Sequence, residues 1–133
     1  MTVLVDTPIW SAAFRRRAVL DAPPVSTLRR LIEDGRAALV GPIRQELLSG
    51  IRDAAQFERL KDRLAAFPDE PIERQDYERA AEYFNACRRR GIQGSNTDFL
   101  LCAVAQRQAM PIFTDDDDFG RYSRVLDVPL FAR

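Results

Sequence analysis

The chain has 133 residues with 20 basic and 20 acidic side chains, and this length predicts one domain, over residues 1–133, with a full hydrophobic core. The absence of histidine excludes most Ser-His, Cys-His and zinc-hydrolase mechanisms, because histidine is the commonest general base and zinc ligand. The zero net charge argues against tight, non-specific binding of nucleic acid.

Nothing in the sequence indicates a membrane or secreted protein. Residues 1–6 lack a basic segment followed by a long apolar core, and no apolar run approaches the roughly 18 residues of a membrane span. Cys87 and Cys102 fall in helical patterns rather than in a metal-binding or disulfide spacing, which favours buried free thiols. We therefore expect a soluble, cytoplasmic protein that makes no contact with a membrane.

The first predicted elements are a buried strand and a helix. Residues 2–5 are apolar and β-branched, which is typical of a strand buried on both faces, and Asp6 follows at its carboxyl end. Thr7-Pro8 then indicates a helix cap with proline at the first helical position. Because open α/β sheets place ligand-binding groups at the carboxyl ends of strands, Asp6 is a candidate site residue; a plain turn residue is the alternative.

The next stretch predicts a helix, a second strand and another helix. Pro23-Pro24 indicates a loop before a helix over residues 26–34, and residues 36–40 have the pattern of a short strand. Gly41-Pro42 opens the following helix, in which Glu46 borders a buried stripe. A glutamate at that position either pairs with an arginine or points into a site. The stripe consists of Ile43, Leu47 and Ile51.

The middle of the chain has the pattern of structural elements rather than of a functional site. Residues 54–67 and 76–90 predict amphipathic helices, the second of which ends at Gly91. Residues 71–73, between the two helices, predict a very short edge strand. The apolar side of the second helix is formed by Tyr77, Ala80, Ala81, Phe84 and Cys87.

Asp98 opens a buried helix. A polar loop over residues 91–97 precedes seven consecutive apolar residues at 99–105, which indicates a helix buried nearly all round. One of residues 95–97 can cap this helix, so that Asp98 lies in or near the first turn, where backbone N–H groups and the helix dipole favour an anion. An acid on the buried side of such a helix is unfavourable unless it is paired or binds a metal.

A third strand is predicted at residues 110–114, and the aspartates at 115–118 follow its carboxyl end. Four adjacent aspartates cannot all face one site, so one or two can bind a metal while others cap the short helix that Phe119 begins. Residues 128–131 resemble a last strand, which Pro129 assigns to a sheet edge.

Two arginine triplets concentrate positive charge, at residues 15–17 and 88–90. Arginine suits bidentate contacts with phosphate. For each triplet, a solvated helix end is the alternative interpretation.

The alternation of short strands with longer helices predicts a three-layer α/β/α sandwich with a mostly parallel central sheet. Asp6 and the run at 115–118 then share one edge of that sheet, under the helix starts that carry Glu46 and Asp98. Such carboxylates repel one another by roughly 4 kcal/mol per close pair at an effective dielectric near 20, so the cluster needs a cation. An all-oxygen donor set favours Mg²⁺, or Mn²⁺, over zinc. Metal-activated water attacking a phosphodiester is the predicted chemistry.

In order and spacing, four stretches resemble the PIN domains, and within them the VapC-type toxins of bacterial toxin–antitoxin systems. The matching stretches are Val3-Leu4-Val5-Asp6-Thr7, Gln45-Glu46-Leu47-Leu48-Ser49-Gly50, Asp98-Phe99-Leu100-Leu101-Cys102-Ala103-Val104-Ala105, and Phe113-Thr114-Asp115-Asp116-Asp117-Asp118-Phe119. The resemblance implies a set of metal-binding, catalytic acids, which are Asp6, Glu46, Asp98 and Asp116. The two additional aspartates, Asp115 and Asp117, depart from the family pattern, so Asp118 is kept as the reserve for the fourth acid.

The resemblance further implies a magnesium-dependent endoribonuclease that cuts structured RNA such as tRNA or rRNA, forms a homodimer and is neutralised by a cognate antitoxin. The alternatives are a PIN nuclease acting in RNA processing or on DNA, and a catalytically idle PIN-like binding module. A phospho-acceptor receiver domain is disfavoured, because the sole lysine, Lys61, lies in mid-helix rather than after the last strands.

Overall fold

The computed structural model describes residues 1–14 and 22–132, so that the arginine triplet at 15–17 lies outside the described residues. Within these ranges the chain forms three strands, β1 (Val3–Val5), β2 (Ala37–Ala38) and β3 (Ile112–Phe113). The helices of the same ranges are α1 (Thr7–Phe14), α2 (Pro23–Glu33), α3 (Gly41–Leu48), α4 (Ala54–Leu64), α5 (Arg74–Arg89), α6 (Asn96–Gln108) and α7 (Asp118–Tyr122).

The strands form a parallel sheet in the order β2-β1-β3. Val3 pairs with Ala37 on one side of β1, and Leu4 pairs with Ile112 on the other side. The crossover from β1 to β2 and the crossover from β2 to β3 run in opposite directions across the sheet. Because such crossovers are right-handed, their helices cover opposite faces. The predicted α/β architecture with a parallel central sheet is confirmed.

The hydrophobic core surrounds β1 and α6. All residues of β1 are fully buried, and the run from Phe99 to Ala105, which was predicted to form a helix buried nearly all round, is buried along its whole length. Burying a large apolar side chain stabilises a fold by roughly 1.5–3 kcal/mol. These two elements are therefore fixed firmly in the molecule, and each carries an aspartate at one end.

A buried ion pair joins α5 to α6. Asp76, which is 2% exposed, accepts hydrogen bonds from Nε and Nη2 of Arg107 at 2.8 and 2.9 Å. Burial raises the pKa of Asp76, but the hydrogen bonds from Arg107 and from the backbone N–H of Glu73 outweigh it and hold that pKa below its usual value. Arg107 also donates to the carbonyl of Pro71 at 2.9 Å. The pair fixes the position of α6 along α5.

Several predictions about local structure were wrong, among them the helical position of Ile51, because α3 ends at Leu48. Pro23-Pro24 lies in the first turn of α2 rather than in a loop, because a helix tolerates proline where its N–H groups have no helical partner. Residues 71–73 form no strand, and the parallel bridge of that region joins Leu39 to Asp69. Tyr77 is 56% exposed, although the helical pattern placed it on the apolar side of α5. At the other sheet edge, residues 128–131 contribute a bridge between Ile112 and Leu130.

Cys87 and Cys102 are both buried free thiols, as predicted. Burial raises the pKa of both thiols, so the reactive thiolate form is disfavoured. Among the helices of the described ranges, none combines the length and the apolar character needed to cross a membrane.

Candidate metal centre

The candidate site lies at the point of the sheet where the connections of two neighbouring strands lead to opposite sides. β1 and β3 are neighbours, yet the chain leaves β1 towards one side of the sheet and returns to β3 on the other. Ligands of open α/β sheets bind in the crevice at such a point, outside the carboxyl ends of the strands. Asp6 follows β1 and Thr114 follows β3. The hydroxyl of Thr114 donates to Oδ2 of Asp6 at 2.8 Å, which joins the two strand ends.

Asp6 is a buried carboxylate in front of α1. It is 6% exposed, and its Oδ1 accepts a hydrogen bond from the backbone N–H of Thr7 at 2.8 Å. The helix starts at Thr7, so Asp6 is the residue before the helix, a position that the sequence had assigned to Thr7. Burial raises the pKa of Asp6 to about 6, and repulsion from Asp98 and Asp116 adds to this effect, while the hydrogen bonds from Thr114 and Thr7 oppose it.

Asp98 lies in the first turn of α6. Its backbone N–H donates to Oγ of Ser95 at 3.0 Å. The helix cap, which the sequence placed among residues 95–97, is therefore Ser95. Its Oδ2 accepts a hydrogen bond from the hydroxyl of Tyr122 at 2.7 Å. Burial raises the pKa of Asp98, as does the charge of nearby aspartates, although hydrogen bonds from Tyr122 and Ser95 lower it. The charged form of this carboxylate is therefore less favourable than in water, and a nearby cation would stabilise it.

The aspartate run after β3 contributes two carboxylates to a cluster with Asp98. One carboxylate oxygen from each of Asp98, Asp116 and Asp118 lies within 4.8 Å of the others. In this structure Asp116 and its reserve Asp118 are thus brought together rather than being alternatives. We refer to Asp98, Asp116 and Asp118 as the carboxylate cluster.

Backbone hydrogen bonds explain why alternate aspartates of the run face the cluster. The N–H of Asp116 donates to Oγ1 of Thr114 at 3.0 Å, and the N–H of Asp118 donates to Oδ1 of Asp116 at 2.9 Å. Asp115 and Asp117 are exposed. Side chains of Asp and Thr commonly bond backbone groups two residues on in this way, and the resulting turn fixes both cluster residues.

Glu46 stands at the rim of the site. It is exposed on α3, and its Oε1 accepts a hydrogen bond from the hydroxyl of Thr7 at 3.2 Å. Within the described residues, Glu46 is not among the acids whose carboxylate oxygens lie close enough together to share one ion. Thr7 connects it to the site, since the backbone N–H of the same residue contacts Asp6. The structure therefore brings Asp98 and Asp116 together, with Asp6 beside them and Glu46 further out.

Tyr122 and Gly94 support the cluster, and the sequence did not single them out. Tyr122 is fully buried, and its ring packs on Phe99 with centroids 4.8 Å apart. A Cβ at Gly94 would approach Cζ of Tyr122 to 2.7 Å and Cζ of Phe99 to 2.8 Å, distances that force one of the rings to move. A glycine in a polar loop and a tyrosine in a short helix carry no local signal of this contact.

Gly94→Ala is expected to weaken divalent-cation binding and to lower stability. The added methyl group displaces Tyr122 from Asp98, and overpacking of this kind destabilises a fold by about 1–3 kcal/mol. Thermal unfolding and calorimetric titration with Mn²⁺ measure the two effects. Gly120→Ala is the matched control, because a Cβ there meets no atom within 4 Å. Equal Mn²⁺ affinity in the two variants would mean that the tyrosine contact does not support the cluster.

The donor set of the site fits a hard divalent cation. Within the described residues, the groups close enough together to share an ion are carboxylates, and the hydroxyl of Thr114 bonds to the neighbouring Asp6. Oxygen donors of this kind suit Mg²⁺ or Mn²⁺. The pKa values of Asp6 and Asp98 are raised mainly by burial and further by repulsion from nearby aspartates, so a cation would stabilise the charged forms of both carboxylates.

Comparisons with known proteins agree with this geometry. The sequence profile of the PIN domain matches residues 3–125. A chain of FitAcB from Neisseria gonorrhoeae superposes with a TM-score of 0.78 at 20% identity, covering 98% of this chain and 97% of that chain. A chain of VapBC2 from Rickettsia felis, solved with a DNA fragment from its promoter, gives a TM-score of 0.78 at 16% identity and 98% coverage of both chains.

A third similar structure belongs to the VapBC family of toxin–antitoxin systems. A chain of VapBC-5 from Mycobacterium tuberculosis superposes with a TM-score of 0.68 at 19% identity, covering 99% of this chain and 98% of that chain. Among curated proteins, no sequence matches significantly. The solved structures share the fold, and the profile match covers nearly the whole chain.

Proposed function

Because the chain belongs to the PIN domain family, a family of nucleases, we propose that it is a metal-dependent endoribonuclease and the toxin of a toxin–antitoxin system. The observation that carries this proposal is the carboxylate cluster, which lies beside the buried Asp6 at the switch point of the sheet. Carboxylates gathered at a strand edge can hold a divalent cation, and such a cation would stabilise the negative charge that accumulates on the phosphate during phosphodiester hydrolysis.

The proposed ligands of a divalent cation are Asp98 and Asp116, with Asp6 and Asp118 completing the acidic set. When bound, Mg²⁺ or Mn²⁺ would lower the pKa of a water and neutralise charge on the phosphate. Thr114 orients Asp6, and Tyr122 orients Asp98, so both carboxylates are held before any ligand arrives. The acids present are enough for one cation or for two about 3.5–4 Å apart.

Structured RNA, such as tRNA or rRNA, is the substrate that we propose. The zero net charge supports a protein that selects a few RNAs rather than one that coats nucleic acid indiscriminately. We also propose that the chain acts in the cytoplasm as a homodimer. A PIN nuclease that processes RNA or cuts DNA remains the alternative, and a catalytically idle binding module is the second.

We propose a cognate antitoxin as the protein partner. The similar structures include chains of VapBC-5, a member of the VapBC family of toxin–antitoxin systems, and of a toxin–antitoxin complex from Klebsiella pneumoniae. Within the described residues, Asp118 of the cluster is paired with Arg121, whereas Asp98 and Asp116 form no ion pair, and a basic segment of a partner would neutralise their charge. Such a partner would compete with the cation for the same oxygens.

Cleavage of total cellular RNA by the purified protein tests the proposed function. The expected result is a set of discrete fragments that appear with Mg²⁺ and disappear with a chelator, and the sequences of their ends identify the substrate. Double-stranded and single-stranded DNA are incubated in parallel. Cleavage of DNA but not of RNA would favour the DNA nuclease, and no cleavage of either, with Mg²⁺ or Mn²⁺, would favour the binding module.

Glu46→Gln is expected to reduce cleavage at limiting Mg²⁺ by up to about fivefold and to leave cleavage at saturating Mg²⁺ nearly unchanged. The substitution removes one charge from the rim of the site, worth about 1 kcal/mol in a water-like dielectric, and it keeps an oxygen that can accept the Thr7 hydrogen bond. A Mg²⁺ titration of the cleavage rate measures this. Glu33→Gln, at the end of α2, is the control. Unchanged rates at limiting Mg²⁺ would remove Glu46 from the site.

A further inference from the structure

A surface pocket opens where α5 ends and α6 begins. Its volume is about 280 Å³, and it is lined by Phe84, Arg88, Ile92, Gln93, Gly94 and Phe99. Pockets for drug-sized ligands span roughly 300–1,000 Å³, so this one suits a single flat ring system rather than a larger molecule. Its lining combines the apolar side chains of Phe84, Ile92 and Phe99 with the guanidinium of Arg88 and the amide of Gln93. We refer to it as the aromatic pocket.

The aromatic pocket is separated from the carboxylate cluster by one layer of side chains. The rings of Phe84 and Phe99 meet edge to face with centroids 5.8 Å apart, and Phe99 packs in turn on Tyr122 at 4.8 Å. The hydroxyl of Tyr122 bonds to Asp98. A molecule in this pocket is therefore a near neighbour of anything bound at the cluster.

Positive charge surrounds the same end of the molecule. Arg88 belongs to the exposed triplet at residues 88–90, and no ion pair within residues 1–14 and 22–132 involves any member of that triplet. A short connection joins α5 to α6, and the two helices pack along each other, so the triplet lies at the end of α6 that carries Asp98. The arginines of the triplet would not attract a metal ion. They would attract an anionic ligand that reaches from the triplet to a cation bound at the carboxylate cluster.

We propose that the aromatic pocket binds one unpaired nucleobase of the RNA substrate while residues 88–90 contact the adjacent phosphates. This inference rests on the proposed ribonuclease function. Phe84 is half-buried and offers a ring for stacking, and Arg88 lies four residues on, on the same helix face. The amide of Gln93 has both a donor and an acceptor for a base edge. Proteins commonly recognise RNA by stacking and hydrogen-bonding bases that are not paired.

The pocket would give the enzyme its selectivity for one site in an RNA. A base held there fixes the position of the neighbouring phosphodiester relative to Asp98, so only strands that present an unpaired base at the right distance from the bond reach the cluster. Arginine contacts with phosphate add affinity without sequence information. The combination favours RNA over an acidic peptide, because every nucleotide joins a planar base to a phosphate, whereas an acidic peptide offers a ring to Phe84 only where it contains an aromatic residue.

Binding of short single-stranded RNA in the presence of a chelator tests the proposal without requiring cleavage. The oligonucleotides carry 2-aminopurine, a fluorescent base, at one position at a time. For the wild type we expect quenching at one position. Phe84→Leu keeps apolar packing against Phe99, yet we expect it to lose this quenching and to raise the Kd at least about fivefold, as for loss of a stacked base. Gln93→Ala, in the exposed loop, is expected to change which base is quenched most.

Arg88→Ala and its matched control test the phosphate contacts. We expect Arg88→Ala to raise the Kd and to reduce the slope of log Kd against log salt by about 0.7, the value for one contact on a single strand. Arg30→Ala is the control, because Arg30 is likewise an exposed arginine in the last turn of a helix, but α2 leads into the amino end of β2, whereas the site lies at the carboxyl ends of the strands. Its Kd and salt slope should equal those of the wild type.

The outcomes separate the pocket from the nuclease. RNA binding that is equal in wild type, Phe84→Leu and Gln93→Ala, or displacement of RNA by an acidic peptide with no quenching at any position, overturns the pocket. A wild type that binds RNA with the expected quenching but never cuts it supports the pocket and overturns the ribonuclease. A wild type that neither binds nor cuts RNA overturns both. Thermal unfolding of each variant identifies any loss of fold. If Phe84→Leu does not fold, the result for Gln93→Ala decides whether the aromatic pocket binds a base.

Discussion

Asp98→Asn is expected to reduce RNA cleavage more than about 100-fold while the fold is retained. Loss of an outer partner of a metal ligand typically lowers affinity or activity about 10- to 100-fold, and Asp98 is a proposed ligand itself. Asparagine keeps an oxygen that can accept the hydrogen bond from Tyr122, so the packing of α6 against α7 is preserved. The variant therefore removes the charge and little else. Initial cleavage rates at saturating Mg²⁺ measure the effect.

Stability in metal-free buffer distinguishes this catalytic role from a structural one. Burial and the neighbouring aspartates raise the pKa of Asp98, so the neutral asparagine should leave the melting temperature unchanged or raise it slightly. Asp115→Asn is the matched control, because Asp115 is an exposed aspartate of the adjoining run and is not part of the cluster. A marked fall in the melting temperature of Asp98→Asn alone would show that the carboxylate is structural.

The metal-free protein is expected to lose about 3 kcal/mol of unfolding free energy through Asp6 as the pH rises from about 4 to about 6. Burial raises the pKa of this carboxyl from 3.8 to about 6, so the folded protein keeps a proton that the unfolded chain releases. The stabilisation is complete below the unfolded pKa and is lost as the pH rises through the folded one. Above that range the ionised, buried Asp6 destabilises the fold until a cation binds.

Urea unfolding of wild type and Asp6→Asn across this pH range, with a chelator present, isolates the effect. Other groups titrate in both proteins, among them Asp76, whose pKa is lowered, so only the difference between the two curves reports on Asp6. We expect Asp6→Asn to be the more stable protein at pH 7 without metal, and Mn²⁺ to stabilise the wild type more than the variant. A pH-independent difference between the two proteins would contradict the raised pKa.

The fold followed from features that lie within short stretches of the chain. β1 was predicted because residues 2–5 form a short apolar, β-branched run, and α6 because seven consecutive apolar residues after a capping loop indicate a helix buried nearly all round. The exact bounds of helices and the exposure of single side chains were less predictable. The helical positions of Pro23 and Pro24 and the exposure of Tyr77 depend on what packs against them. The predicted edge strand at residues 71–73 failed for the same reason.

The candidate site was predictable only where a charge interrupts an apolar pattern. Asp6 and Asp98 each border a buried element, so their local sequence marks them. The run at residues 115–118 gave no local reason to choose among its members, because the turn that selects Asp116 and Asp118 is built from a threonine hydroxyl and backbone groups. Tyr122 reaches Asp98 from a different element, and no sequence period records a contact between residues so placed.

The order of the strands has a consequence for how the chain is made. β1 lies between β2 and β3, and the hydrogen bond from Thr114 to Asp6 joins residues 108 positions apart. Contacts of such separation form late, after the intervening loop entropy has been overcome. During translation the first strand must wait for the last one before the carboxylates can meet. Under the proposed function, a growing chain is therefore harmless to the ribosome that produces it until residues 112–118 have been synthesised and docked.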